Sequence, residues 1–417
     1  MTEHDVFESR LRAALHRRVW YGPTEFDALA FARTVAAKEP RRHGCAAALQ
    51  WRGNPIPRVA WVLLLLAALL TAMVAGMLVA GSQPVRQLPA VVPPVGQTFA
   101  CPAGTDPDKP GPADQARPRQ DPYLAIAFDR RAGRIVMLSG VDQGVKTWTF
   151  DVCTNTWMQM HPNQEPFGWV RLVYDVGSDR TIGVADCRNC DVDPTGTVWS
   201  YNLEANTWNR MGAAPTGVTD LFYNAAAGLV VAARSDGNPD APRSELSTYD
   251  VKTGTWTPIV RANTPSRTVF TYDASVDRIV AYGPTEVDPQ SADHETRVFD
   301  IRTGGWLRSR AVTPGIWGPN PYWGTPPAIA YDEAAQRTVV FGGILAAYDA
   351  AADRWEVLID NRDPSVWLPA SLVYDPANRR LVGLGRGVIV QGGVVAFDTR
   401  TREWTVLLEP GNGQPAP

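Results

Sequence analysis

The chain contains 417 residues, of which 40 are basic and 43 are acidic, giving a net charge of −3. Nucleic-acid-binding proteins usually carry a clear basic excess, so this balance gives no reason to expect a nucleic-acid partner. The sequence also contains no nucleophile elbow, phosphate-binding loop or paired zinc motif, and we predict neither catalytic residues nor a cofactor.

Residues 1–57 form a mixed, charged segment. Phe7, Leu11 and Leu15 recur at helical spacing, and Thr24 can begin a second helix. The segment is too short to bury a sizeable core. We interpret it as a partly helical cytoplasmic tail, which is either simply solvated or a docking segment for a cytoplasmic protein partner.

Residues 58–81 are predicted to form a single transmembrane helix. Val59–Ala80 carries no charged residue, and its length matches the roughly 20 residues that a spanning helix needs. A cleaved signal peptide does not fit, because a long segment precedes the apolar run. Basic residues are concentrated on its N-terminal side, namely Arg41, Arg42, Arg52 and Arg58, whereas only Arg86 follows before Lys109. The positive-inside rule then places the N-terminus in the cytoplasm and the remaining chain outside the plasma membrane.

Residues 82–120 are rich in proline. The prolines are Pro84, Pro89, Pro93, Pro94, Pro102, Pro107, Pro110, Pro112 and Pro118. Such a composition is typical of an extended spacer. We predict an extracytoplasmic linker that separates the next domain from the membrane.

Residues 121–408 consist of a sequence unit that is repeated six times. Each unit begins with an aromatic–Asp or aromatic–Asn pair: Phe128–Asp129, Tyr174–Asp175, Tyr223–Asn224, Tyr272–Asp273, Tyr331–Asp332 and Tyr374–Asp375. An Arg follows in five of the units: Arg134, Arg180, Arg278, Arg337 and Arg380, with Leu229 as the exception. A second pair follows: Phe150–Asp151, Tyr201–Asn202, Tyr249–Asp250, Phe299–Asp300, Tyr348–Asp349 and Phe397–Asp398. Each unit then has a Trp: Trp157, Trp208, Trp256, Trp306, Trp355 and Trp404.

The Trp residues recur every 48 to 51 positions, and the unit is rich in short β-branched and aromatic runs. A period of about 50 residues with four strands per unit is typical of propeller blades. Asp or Asn at the end of a strand favours a turn, because its side chain can accept a hydrogen bond from the backbone two residues on. We expect the Trp to fill the gap between neighbouring blades. Residues 409–417 are predicted to be a disordered C-terminal tail.

The repeat resembles the kelch family, and within it the bacterial relatives of the galactose oxidase central domain. The matching features are the Tyr-Asp-x4-Arg turn, the double glycine Gly342–Gly343 and endings such as Tyr249 to Trp256. The resemblance implies an all-β, six-bladed propeller with four-stranded blades. The double glycine is intact only in blade five, and blade one keeps Gly140 alone. A β-sandwich is the alternative, but sandwiches do not repeat at a fixed period.

In kelch-like propellers the strand after the last Trp commonly completes the first blade. Thr405–Leu408 is apolar enough for that role, and we expect it to close the ring. The family's copper site does not carry over, because His161 and His294 lie in no recognisable copper motif. The resemblance therefore stops at the fold.

The cysteines are divided by the predicted membrane span. Cys45 is predicted to be cytoplasmic and free. Outside are Cys101, Cys153, Cys187 and Cys190, an even number with three possible pairings. For Cys187 and Cys190 a local disulfide is favoured over a zinc site, because no second pair of ligands is nearby and the compartment is oxidising.

The loops opposite the Asp turns vary in length and are the expected binding region of the propeller. Aromatic residues near this end of the repeats are our candidate ligand-binding set: Trp169, Trp317, Tyr322, Trp323 and Trp367. They suit a sugar ring or the apolar anchor of a protein partner, or alternatively they fold inward and cap the channel. The loops of blades one to four are also acidic, and we favour a solvated acidic edge over a calcium site, because no spaced calcium loop is present.

Two functional hypotheses follow. The first is a membrane-anchored extracytoplasmic binding module for a glycan or protein partner. The second is an extracytoplasmic hydrolase, lyase or oxidase in which the rim acids perform acid–base work. A close pair of rim carboxylates with one raised pKa would favour the second hypothesis.

Overall fold

The fold was obtained as a computed structural model. It describes residues 99–118, 125–140, 144–186, 196–235, 243–265, 268–285, 293–316, 327–342, 344–360, 369–385 and 393–409. These residues form six antiparallel sheets of four strands each, in which consecutive strands are hydrogen-bonded neighbours. The predicted all-β, six-bladed propeller with four-stranded blades is thereby confirmed.

The strands follow one another blade by blade. Blade one contains β1 (Ala125–Asp129), β2 (Arg134–Ser139), β3 (Lys146–Asp151) and β4 (Thr156–Gln159); blade two contains β5 (Trp169–Asp175), β6 (Arg180–Asp186), β7 (Gly196–Asn202) and β8 (Thr207–Ala214); blade three contains β9 (Val218–Asn224), β10 (Leu229–Ser235), β11 (Arg243–Asp250) and β12 (Thr255–Pro265). Blade four contains β13 (Val269–Asp273), β14 (Arg278–Pro284), β15 (His294–Asp300) and β16 (Gly305–Arg308); blade five contains β17 (Ala328–Asp332), β18 (Arg337–Phe341), β19 (Leu345–Asp349) and β20 (Arg354–Ile359); blade six contains β21 (Pro369–Asp375), β22 (Arg380–Gly385), β23 (Val394–Asp398) and β24 (Glu403–Leu408).

The Asp and Asn residues of the repeat build the turns between the first and second strands and between the third and fourth strands. Asp129 is representative: its Oδ1 accepts hydrogen bonds from the amides of Arg131 and Ala132 at 3.1 and 3.0 Å. The residue four positions after each Asp or Asn has a left-handed backbone, as at Asp179 and Asn206. Asp, Asn and Gly tolerate this conformation best, which explains why the turns repeat so regularly.

The six repeat Trp side chains lie between the blades, as predicted. Each packs on the aromatic residue of the second pair in its own blade, with ring centroids 4.7 to 5.2 Å apart. Several also donate a hydrogen bond to the preceding blade, for example from Trp208 Nε1 to Thr147 Oγ1 at 3.0 Å and from Trp355 Nε1 to Thr296 Oγ1 at 2.9 Å. Each Trp therefore joins two sheets through apolar burial and, in these cases, a satisfied indole N–H.

The ring closes without exchanging a strand between the first and last blades. The inner strands contact one another in chain order, and β21 contacts β1. The expectation that Thr405–Leu408 completes blade one was wrong, because these residues belong to β24 and pair with β23 of their own blade. The tight turn after Asp398 holds β24 beside β23, and blade one already has four consecutive strands.

Residues 99–118, which we call the seam strap, cover the junction between blades six and one. A disulfide joins Cys101 of the strap to Cys153 in the β3–β4 turn of blade one. Phe99 packs against the apolar cluster that blades six and one share, and a side chain at Gly133 would overlap its ring. This part of the proline-rich segment is therefore attached to the propeller surface.

Polar contacts connect the seam strap to blade six. Arg380 Nη1 donates to Asp108 Oδ1 at 2.5 Å, and the Gly111 amide donates to the Leu407 carbonyl at 2.8 Å. Arg380 is almost fully buried and also faces the buried carboxylate of Asp375 at 3.5 Å. The strap thus supplies a second carboxylate to a buried guanidinium, whose charge would otherwise be poorly compensated.

The predicted tail 1–57 and the predicted span Val59–Ala80 lie outside the described residues. Within the described ranges, no helix has the length and apolar character needed to cross a membrane.

Candidate ligand-binding rim

The two ends of the propeller differ chemically. All turns that follow an Asp or Asn of the repeat connect the first to the second strand or the third to the fourth, so they lie at one end, the Asp-turn rim. The connections between the second and third strands, and those from one blade to the next, lie at the opposite end, which we call the loop rim. Binding sites commonly lie on variable loops held by a rigid scaffold, whereas uniform turns offer few different side chains to a ligand.

An ion pair crosses the central opening at the Asp-turn rim. Arg130, in the first turn of blade one, pairs with Glu333 in the first turn of blade five. These blades are not neighbours, so the pair must reach across the opening. Arg130 also lies close enough to Tyr174, Tyr223 and Tyr374 to interact electrostatically with them, and burial lowers its pKa. This end of the channel is therefore obstructed by side chains.

Aromatic side chains are exposed at the loop rim where the chain enters blade two. Trp169 is 52% exposed and Phe167 is 60% exposed. Trp169 begins β5 and is paired in register with Asp186, the last residue of β6. An indole fixed on a strand with about half of its surface open to solvent suits an apolar anchor or the face of a sugar.

Arg171 lies two residues farther along the same strand and points toward blade three. Its Nε donates to the Thr219 carbonyl at 2.9 Å, and its Nη1 donates to the Val170 carbonyl at 3.2 Å. Burial lowers the pKa of Arg171, and the nearby carboxylates of Asp220 and Asp186 oppose this effect. The inner strand of a blade has a free edge along the channel, and Arg171 satisfies one carbonyl of that edge in blade three.

Asp220 performs the matching role on the next blade. Its Oδ2 accepts from the Phe270 amide on the inner strand of blade four at 2.8 Å, and its Oδ1 accepts from the Leu221 amide at 2.9 Å. Burial raises its pKa to about 6, with backbone amides and Arg171 acting in the opposite direction. The raised pKa favours the protonated carboxyl group below about pH 6, although both oxygens already accept hydrogen bonds from backbone amides.

The other described acids of this rim have partners inside the fold. Asp186 Oδ2 accepts from the Gly217 amide at 2.7 Å, Glu245 pairs with Arg234, and Glu295 pairs with Arg297 and Arg308. Within the described residues, no group of three or more His, Cys, Asp or Glu side chains is placed to hold a metal ion.

The predicted binding set is represented in the described residues by Trp169 alone. Trp317, Tyr322, Trp323, Trp367, Cys187 and Cys190 lie outside the described residues. The remaining predicted cysteines, Cys101 and Cys153, form one disulfide.

Sequence reasoning missed Arg171 and Asp220, although a signal was present. Both stand three positions before the Tyr of the first pair, where the other blades have small or apolar residues: Ala125, Val269, Ala328 and Ser371. A charge at one such position in an otherwise apolar inner strand indicates either a ligand contact or a bond to the neighbouring blade.

Comparison with protein-family models and with curated proteins found no match. Among solved structures, the chain is similar to TolB from Acinetobacter baumannii, with 11% identity and a TM-score of 0.47, covering 68% of this chain and 65% of that chain. It is also similar to an oligogalacturonate lyase in complex with manganese, with 14% identity, a TM-score of 0.41 and coverage of 75% and 83%. An oligogalacturonate lyase from Vibrio parahaemolyticus gives 12% identity, a TM-score of 0.42 and coverage of 75% and 84%.

The chain therefore spans less than two thirds of the TolB structure that it matches. By its own strands, it is an all-β, six-bladed propeller with four-stranded blades.

Proposed function

We propose that the protein is a single-pass, membrane-anchored binding module whose propeller lies outside the plasma membrane and binds a glycan or protein partner at the loop rim. Residues 1–57 would stay in the cytoplasm, where they are available to a cytoplasmic partner. We also propose that the repeat is of the kelch type.

The exposure of Phe167 and Trp169 at the loop rim is the observation that carries the binding role. Exposed aromatic side chains that are close in sequence are costly to leave in water, and they are common in the centres of binding surfaces. The opposite end of the channel is crossed by the Arg130–Glu333 pair, which leaves the loop rim as the more accessible mouth.

The disulfide between Cys101 and Cys153 supports placement outside the cytoplasm, because structural disulfides persist in oxidising compartments. The uncharged run Val59–Ala80 and the basic residues before it support a membrane anchor with a cytoplasmic N-terminus.

Site-specific photo-crosslinking in intact cells tests the binding role. A photoreactive residue at position 167 should form a discrete adduct with a protein or with cell-wall glycan. The same residue at position 158 should not, because Met158 is exposed on an outer strand away from the rim. The Trp169→Ala substitution should reduce the adduct at position 167 while the protein remains folded. Identical labelling at both positions, or none at 167, would contradict the proposal.

An enzymatic role is the alternative, and the raised pKa of Asp220 favours it. A carboxyl group that titrates near pH 6 beside Arg171 has the character of an acid–base residue. Its two oxygens accept backbone amides, however, which gives Asp220 a structural role in joining blades three and four. If Asp220→Asn abolished turnover of an acidic oligosaccharide while the protein remained folded, the protein would be an enzyme and the binding-module proposal would be wrong.

A further inference from the structure

We propose that the groove between blades five and six, at the Asp-turn rim, is a second docking site that binds an acidic, proline-containing peptide segment of a partner protein. The groove contains a half-open cavity of about 440 Å³ whose lining includes Arg337, Glu356, Leu358, Thr399, Arg400 and Arg402. It is separate from the aromatic residues of the loop rim.

The internal repeat shows how such a groove is used, because the equivalent groove between blades six and one is occupied by the seam strap. The equivalence follows from positions in the repeat: Arg337 corresponds to Arg380, Ala335 to Asn378, Leu358 to Leu407, Arg400 to Cys153, and Arg402 to Asn155.

Residues lining the occupied groove contact the strap along its length. Arg380 binds the carboxylate of Asp108. The Asn155 side-chain amide donates to the carbonyls of Pro107 and Lys109 at 2.7 and 2.8 Å. The Leu407 carbonyl accepts from the amide of Gly111, and Cys153 holds Cys101 covalently. A proline-containing acidic peptide with tight turns, such as those closed by the Thr105 and Lys109 amides, is therefore the ligand that this architecture accommodates within the same chain.

The groove between blades five and six keeps the donors of the occupied groove and adds positive charge. Arg402 stands where Asn155 contacts two strap carbonyls, and Arg400 stands where Cys153 forms the disulfide. Glu356, in place of Thr405, pairs with both Arg337 and Arg402, and Arg400 pairs with Asp398. The Asp332 carboxylate also faces this groove, because it accepts a hydrogen bond from Thr399 and lies near Arg400. Three guanidinium groups therefore face three carboxylates, whereas the occupied groove has the single guanidinium of Arg380.

An acidic peptide fits these guanidinium groups better than a neutral one, because its carboxylates can replace the groove's own carboxylates as their partners. Glu356 occupies the position in which a ligand carboxylate would meet Arg337, and the adjacent Arg337 holds its pKa below the usual range. The ligand must therefore engage Arg402 and Arg400 and compete with Glu356 for Arg337. This competition predicts weak, reversible binding that a single substitution at Glu356 should strengthen.

The test uses the full-length protein in detergent and a fluorescent peptide with the sequence of residues 105–115, Thr-Asp-Pro-Asp-Lys-Pro-Gly-Pro-Ala-Asp-Gln. Binding is followed by fluorescence anisotropy. We expect saturable binding that weakens about tenfold in Arg402→Ala and strengthens about tenfold in Glu356→Thr, the residue found in the occupied groove. A peptide with its aspartates replaced by asparagine should bind weakly to all forms.

Arg302→Ala is the matched control, since Arg302 occupies the same turn position in blade four as Arg400 does in blade six and is more exposed. This variant should bind the peptide as the parent does. The proposal is overturned if neither the parent nor Glu356→Thr binds the peptide, or if Arg402→Ala leaves binding unchanged. The latter result would mean that the peptide exchanges with the strap in the other groove. Equal loss of binding in Arg302→Ala would also overturn the proposal, because it would mean that the peptide responds to the overall surface charge and not to this groove.

Discussion

At the residue scale, the left-handed turn position does two things. In four hairpins its Asp or Asn side chain accepts a hydrogen bond from the Tyr five positions earlier, as from Tyr174 to Asp179 at 2.6 Å and from Tyr348 to Asp353 at 2.7 Å. Where the position is Gly254, the hydroxyl of Tyr249 is buried without a hydrogen-bond partner in the described part of the chain. The same residue type thus serves the backbone conformation and the aromatic hydroxyl.

The Gly254→Asn substitution should therefore be tolerated better than Gly254→Ala. Both introduce a side chain at a left-handed position, but only Asn brings an acceptor toward the Tyr249 hydroxyl, which would lie 3.9 Å from the added Cβ. We expect the Asn variant to be more stable than the Ala variant by roughly 1–2 kcal/mol, as measured by chemical denaturation. Equal stability of the two variants would show that the hydroxyl gains nothing from the turn residue.

Asp220 gives a pH-dependent prediction. Its pKa is raised from an ordinary value of 3.8 to about 6, so between these values the folded protein keeps a proton that the unfolded chain has lost. Its contribution to stability is therefore present below about pH 4 and falls as the pH rises through 6. Asp220→Asn cannot titrate, so from pH 4 to pH 7.5 its stability should improve relative to the parent by roughly 2–3 kcal/mol. Denaturation curves collected across this range check the difference. A pH-independent difference between the two proteins would refute the assigned titration.

At the scale of elements, the seam strap joins the first and last blades, a role that a blade built from both ends of the domain would otherwise have. Blades one and six each consist of four consecutive strands, so no backbone ladder crosses the seam. The disulfide, the Asp108–Arg380 pair and the shared apolar cluster hold the junction instead. The part of the strap between Cys101 and Arg117 also reaches the end of the last strand, where Arg117 donates to the Glu409 carbonyl.

Removing the disulfide should loosen the whole ring. The bond closes a loop with a sequence separation of 52, for which chain-entropy estimates give up to about 4 kcal/mol. We expect the Cys101→Ser, Cys153→Ser double variant to unfold at lower denaturant concentration than the oxidised parent, and the parent with reductant to approach the variant. If parent and variant unfold at the same denaturant concentration, the strap is not what secures the seam.

The sequence was informative about elements that depend on local patterns. The Asp turns and the interblade Trp residues recur with one period, and each depends on residues within a single hairpin or its neighbour. A period does not, however, determine where one blade ends and the next begins. For this reason the prediction that the strand after the last Trp completes blade one was wrong, since that strand pairs with β23.

The strap and the charged residues of the rim were harder to anticipate. Asp108 and Arg380 are 272 positions apart, and a proline-rich composition is typical of a spacer whether or not it is docked. Trp169 was identifiable as an aromatic outside the repeat pattern and is exposed at the loop rim. Arg171 and Asp220 bond to the backbones of neighbouring blades, and the signal that such contacts leave is a charged residue at a position that is small or apolar in the other blades.

At the scale of the whole molecule, the propeller has two unlike ends. The Asp-turn rim carries the uniform turns, the ion pair across the opening and the arginine-lined groove between blades five and six. The loop rim carries the variable connections and the exposed aromatics. A ring with distinct ends can present one end to a partner while the other end contacts a second protein.

The claim on which this functional account depends most is that the propeller lies outside the membrane while the N-terminal tail lies inside. Two single-site probes test it with a membrane-impermeant maleimide. The first is Val312→Cys, at a position that is 90% exposed, in a chain with Cys45, Cys187 and Cys190 replaced by Ser. The second retains Cys45 and lacks both Cys187 and Cys190. We predict that intact cells label the Val312→Cys protein at once and label Cys45 only after permeabilisation. Labelling of Cys45 in intact cells, with Val312→Cys protected until the membrane is opened, would contradict the account.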